Sequence, residues 1–207
     1  MPKFIFLLLM MSFLISCSHS PNEEKSAPLT VEPYLLNEHE QTLISKTAVQ
    51  MMFFKLNGTL HENEDLELYV EEYQNGKPTK KLLMANEFRE VKSIFQNTII
   101  SFGYVDDTNM NNEENKIEWI IGTPSGNIRA ASEVENIQAY SFNHNIFEKI
   151  PLKKNEPTII GAWYGTIKGP LSTNDRSEDG SLPKAIQESD LAYVFVVKLV
   201  DDDQAES

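Results

Sequence analysis

The sequence predicts a mostly β fold: an antiparallel β-sandwich of about 8–10 strands, with one short N-terminal helix and a long loop before the last strand. Three observations carry this. From residue 48 onward, apolar residues recur with the period of two that returns side chains to one face of a strand. Turn-forming clusters break these runs about every 8–12 residues, the spacing of a sandwich. Helical spacing is almost absent, and no internal repeat exists that would indicate a propeller or solenoid.

The elements follow in order. Asn37 and Glu40 have N-cap and capping-box spacing, with Leu43, Ile44 and Thr47 directed at a core. Ala48 to Asn57 (AVQMMFFKLN) is apolar at both parities and reads as a buried strand ended by Gly58. Asp65 to Tyr73 alternates, with Leu66, Leu68 and Val70 on one side and Glu67, Tyr69 and Glu71 on the other. Asn75-Gly76 is a hairpin turn, because both residues tolerate positive φ, and Lys80 to Met84 returns as the partner strand. Asn97 to Val105 puts Ile100, Phe102 and Tyr104 on one face. Ile117, Trp119 and Ile121 mark another strand, closed by the turn Pro124-Ser125-Gly126-Asn127. Weaker strands are expected at Ile128 to Val134, Gln138 to Phe142 and Ile146 to Leu152. Thr158 to Ile167 and Leu191 to Val200 are strands, and the second (LAYVFVVKLV) has the composition of a sheet centre. Between them, Lys168 to Asp190 is the one long break, with a helical turn at Lys184 to Gln187. Structureless loops beyond about 12 to 15 residues are uncommon unless functional or disordered.

The only cysteine, Cys17, follows a single basic residue (Lys3) and an apolar run from Phe4 to Ile15 broken by Ser12. The run is too short for a bilayer span, which takes about 20 apolar residues, and has the length of a signal-peptide core. The tetrapeptide Leu14-Ile15-Ser16-Cys17 resembles the lipobox of bacterial lipoproteins, in which a small residue precedes a cysteine that becomes the acylated N-terminus. The resemblance covers residues 1–17 only. It implies a signal peptide over 1–16 and a lipidated N-terminus with a Pro/Ser/Glu-rich tether over 17–33. A single sandwich domain over 34–200 and an acidic tail over 201–207 complete the chain. Two acyl chains anchor firmly where one holds marginally, so Cys17 is expected to tie the protein to membrane lipid on the extracytoplasmic face of a bacterial cell membrane. With no second cysteine, the chain forms no internal disulfide.

A net charge of −13 argues against nucleic acid or anionic lipid as a partner. The segment starting at Asp107 places Asp107, Asn109, Asn111, Glu113 and Glu118 at oxygen-ligand positions of a twelve-residue calcium loop. It resembles an EF-hand loop at those positions only. Asn112 replaces the sixth-position glycine, Glu114 replaces an apolar residue, and the flanks are strands. A solvated acidic hairpin is the commoner use of such a segment, so calcium is the one cofactor considered. His19, His39, His61 and His144 have no zinc-site spacing, and no nucleophile elbow or phosphate loop exists, so no catalytic residue is assigned. Carboxylate pairs such as Glu71-Glu72 are assigned to solvent faces. Trp119, Trp163, Tyr164, Tyr69 and Tyr73 are candidates for a sugar-binding platform. Tyr69 and Tyr73, on the polar parity of their strand, are the best of these, with cross-strand pairing as the plain alternative.

The expectation is a membrane-anchored lipoprotein with a non-enzymatic binding module for an envelope protein or polysaccharide. The alternatives are an envelope-polymer hydrolase, which requires converging carboxylates in a pocket, and a calcium-stabilised carbohydrate-binding module.

Overall fold

Period-two patterning from residue 49 onward yields two antiparallel sheets packed face to face. The computed structural model describes residues 27–86, 93–106, 116–134, 136–171 and 180–201. The first sheet runs β7 (Gly126–Glu133), β6 (Lys116–Thr123), β5 (Ile94–Asp106), β2 (Val49–Thr59), β1 (Thr30–Pro33), β9 (Ile150–Pro151). The second runs β4 (Lys77–Asn86), β3 (Glu64–Gln74), β11 (Leu191–Asp201), β10 (Pro157–Thr166), β8 (Ala139–His144). Two short helices complete the described residues, α1 (Glu38–Ile44) and α2 (Lys184–Gln187).

The inner faces interlock through aromatic rings. Phe102 of β5 stacks on Phe195 of β11 at 5.2 Å, and Trp119 of β6 lies 4.2 Å from Tyr193 of β11 and 5.9 Å, edge-on, from Trp163 of β10. Trp119 and Trp163 are both fully enclosed and Tyr164 is buried, so none of the three forms a surface platform. Aromatic side chains of this size bury about 150–250 Å² each, and a two-layer core is where that area is recovered. β11 lies between β3 and β10, the central place its composition predicts. Both of its faces are covered, one by the main core and one by a second apolar cluster.

The outer cluster overturns the reading of Tyr69. Tyr69 is 4% exposed and packs with Ile159, Tyr164, Val194 and Val196 beneath Ile186 of α2, and Tyr73, Leu171 and Leu182 flank the group. The ends of the 168–190 segment thus cap the face that alternation assigns to solvent. Lys81 Nζ sits 4.3 Å from the Tyr69 ring centre. Burial above all pushes the Tyr69 phenol above its ordinary range and the Tyr73 phenol up to about 12, with Glu71 adding to both.

Other expectations need adjusting. Thr30–Pro33, assigned to the tether, is a strand with β2 on one side and β9 on the other, and Val31 is wholly buried. Gly58 does not end β2. It sits at a register shift with φ 122°, and an added Cβ would come within 2.4 Å of the Pro28 carbonyl oxygen. Glycine therefore lets the chain bulge and continue. The capping box of Asn37 and Glu40 is present, but α1 buries no residue and Leu43 is 54% exposed. Of the strand expected at Ile146 to Leu152, only Ile150–Pro151 forms. The last strand extends through Asp201, which meets Lys154 and Asn155. At the edge, β4 exposes Lys77, Pro78 and Lys80, residues that discourage edge-to-edge pairing.

His144, at the end of β8, clips the sheets together. Its ring lies 5.1 Å from Phe54 and donates a hydrogen bond to the Phe53 carbonyl, while Nε2 is buried with no hydrogen-bond partner among the described residues. Burial lowers its pKa from 6.5, outweighing the Phe53 bond, which raises it. The native state therefore binds fewer protons than the unfolded chain below about pH 6.5, and the contribution of neutral His144 is lost as pH falls through that value. Chemical denaturation at pH 7.5 and pH 5 should show the wild type losing more stability than His144→Phe. Equal losses would mean that His144 is not the titrating group.

Candidate functional site

The two sheets leave an open cleft of about 380 Å³ at one end of the sandwich. Its walls come from four places: the end of β3 (Glu72, Gln74, Asn75), the start of β11 (Asp190, Leu191, Tyr193), the end of β7 (Glu133, Ile137), and Ile167 just beyond β10. Ile167 and Asp190 flank the 168–190 break, so the described ends of that segment adjoin the cleft.

Local structure fixes each wall. The Asn75-Gly76 turn forms as predicted, with positive φ at both residues. Gly76 approaches α2 so closely that an added Cβ would lie 2.2 Å from the Gln187 carbonyl oxygen, and the Asn75 N–H donates to the Asp190 carbonyl. The hairpin tip is thereby pressed against the α2 end of the long segment. The Asp190 carboxylate accepts from the Ile167 N–H at 2.6 Å and from the Thr166 hydroxyl at 3.0 Å. Chiefly through the Ile167 bond, these hold its pKa below the ordinary aspartate value.

The floor is a chain of polar side chains crossing the core. Trp119 Nε1 donates to Ser132 Oγ at 2.7 Å, Ser132 hydrogen-bonds to Tyr193, and the Tyr193 hydroxyl donates to Glu72 Oε2 at 3.3 Å. Glu72 Oε1 accepts from Thr79 and from Gln74, each at 2.9 Å, and Lys80 Nζ stands 3.4 Å from Oε2. Trp119 and Tyr193 are fully buried, Glu72 is 4% exposed and Ser132 is 9% exposed. Burial drives the Tyr193 phenol up to about 12, opposed by the Ser132 bond and reinforced by Glu72. Every link is a donor chain ending on one carboxylate, which is how a buried charge becomes tolerable.

Glu72 is the residue that the sequence reading missed. It is in phase with Leu66, Leu68 and Val70 and so belongs to the core face, against the solvent assignment given to the Glu71-Glu72 pair. Extending the alternation by one step would have found it. Of the other candidates, Cys17, Asp107, Asn109, Asn111 and Glu113 lie outside the described residues. Glu118 is on β6, where its carboxylate meets Arg129 at 2.9 Å. Among the described residues no group of three or more His, Cys, Asp or Glu side chains is placed to hold a metal ion. Tyr69 and Tyr73 lie on the opposite face of β3 from Glu72, so they take no part in the cleft.

These features define an all-β two-sheet domain with a polar, carboxylate-lined cleft at one end. Residues 30–199 match the YgaN domain, and the chain belongs to that family. The match begins with the first residue of β1 and ends within β11, so it spans the sandwich and nothing before it. No curated protein and no solved structure matches the chain.

Proposed function

We propose that this protein is a bacterial lipoprotein, held by acylated Cys17 at the extracytoplasmic face of the cell membrane, whose sandwich is a non-enzymatic binding module. The observation that carries this is the Lys3, Phe4-to-Ile15, Ser16, Cys17 sequence, with charge, apolar run, small residue and cysteine in order. The family match starting at residue 30 supports it: Ala27 and Leu29 already hydrogen-bond to Thr59 and Leu152, which leaves residues 18–26 as a spacer between anchor and domain. Extended, a spacer of that length reaches about 30 Å.

Binding is favoured over hydrolysis by the state of Glu72 and Asp190, two of the three cleft carboxylates. A general acid at neutral pH needs a carboxyl held protonated. Asp190 is held the other way, and both Glu72 oxygens already accept from protein donors. Cys17→Ala is expected to abolish incorporation of labelled fatty acid and leave the signal segment uncut. Undiminished labelling of that variant would contradict the proposal.

A further inference from the structure

We propose that the sandwich stands on its anchor with the cleft end turned away from the bilayer. The opposite end, formed by the 60–63 turn, residues 152–155 and the close of β11, then faces the lipid. This rests on the acylated Cys17 and on no particular occupant of the cleft. The described chain begins clamped at one end of the strands. The Ala27 carbonyl accepts from the Thr59 N–H at 3.2 Å and the Leu29 carbonyl from the Leu152 N–H at 2.9 Å, while Gly58 packs against Pro28. β3 leaves this end at Glu64, which pairs with Asp201 of β11, and the Asn155 N–H donates to the Leu199 carbonyl beside it. β3 and β11 are each 11 residues long, and at their other ends Gln74 pairs with Leu191 in the cleft wall. Entry point and cleft therefore lie at opposite ends of the sandwich.

Lengths then decide the orientation. A strand rises about 3.3 Å per residue, which separates the two ends by about 33 Å. The spacer, residues 18–26, reaches about 30 Å at full extension. For the cleft to open onto the lipid, the entry end would have to rise by at least the length of the strands. That leaves the spacer nothing in reserve, whereas the upright arrangement is open to every shorter path. Nor can β1 be peeled away cheaply to lengthen the spacer. Leu29 is 3% exposed, Val31 is wholly buried, and β1 is paired with β2 on one side and β9 on the other. Freeing it would expose both side chains and break both pairings. A partner of the cleft accordingly arrives from the aqueous side, and the lipids of the anchoring bilayer lie out of its reach.

The test is energy transfer on vesicles of phosphatidylethanolamine and phosphatidylglycerol that carry a rhodamine-headgroup lipid. The lipidated full chain is labelled on one introduced cysteine, the Cys17 thiol being occupied by its acyl group. Glu62→Cys marks the entry end and Lys77→Cys the cleft end, and both positions are exposed. Transfer from position 62 should be several-fold stronger than from position 77. Doubling the spacer with a Gly/Ser insertion should bring the two signals closer, because the inverted arrangement then comes within reach. Equal transfer from the two positions, or stronger transfer from 77, with fatty acid present on Cys17, would overturn the orientation and leave the anchor standing. A ratio unmoved by the longer spacer would overturn the length argument. Absence of transfer from both positions, with no fatty acid on Cys17, would overturn the anchor and the orientation together.

Discussion

Trp119→Ala is expected to cost about 3–5 kcal/mol, the range for removing a large aromatic from a packed core. Trp119 is the hub of the inter-sheet aromatics. It is fully buried and touches Tyr104 within the first sheet and Trp163, Tyr193 and Phe195 across the interface. The two sheets cannot close on the gap without moving those rings. The truncation also removes the indole donor from Ser132, breaking the polar floor at its inner end. Trp119→Phe keeps much of the packing but loses the donor, and should cost less. Urea denaturation would check the order. A Trp119→Ala cost under about 1 kcal/mol would mean the sheets are not held together at this point.

Glu72→Ala is the second large effect, expected at about 2–3 kcal/mol, because hydrogen bonds to a charged group contribute more than neutral ones. Three donors lose their acceptor, the Tyr193 hydroxyl, the Gln74 amide and the Lys80 ammonium, while the Thr79 hydroxyl keeps the Glu72 backbone carbonyl at 3.1 Å. Lys80 is 57% exposed and recovers its hydration, so the cost concentrates on buried Tyr193. Glu72→Gln keeps the shape but turns a donor toward donors on one side, and should fall between alanine and wild type. Tyr193→Phe combined with Glu72→Ala isolates the pair. The two changes should be coupled by about 0.5–3 kcal/mol, with the double variant less damaged than the sum. Strict additivity would mean the Tyr193–Glu72 contact contributes nothing.

Where a segment's structure follows from its own residues, the sequence was sufficient. The alternation Leu66, Leu68, Val70, the Asn75-Gly76 turn, the Asn37–Glu40 capping box and the helical turn at 184–187 are all local signals, and each formed. The failures share a non-local cause. Thr30–Pro33 is short and carries Glu32 and Pro33, so alone it looks like linker. It becomes a strand because β2 and β9 supply partners on both sides. Tyr69 has the parity of a solvent-facing residue and is buried only because residues near 160, 186 and 194 cover that face. Glu72 was in plain phase with the core, but its charge argued for solvent. The acceptor role emerges only when Thr79, Lys80 and Tyr193 are brought alongside. The cleft draws on four stretches of chain, and no pattern within any one of them announces it.

The central claim, a binding domain tethered by one acylated cysteine, is tested most directly by mass spectrometry of the mature N-terminal peptide. The account predicts a chain that begins at Cys17 and carries a thioether-linked diacylglycerol. A mature N-terminus at any other residue, or an unmodified Cys17, would contradict it.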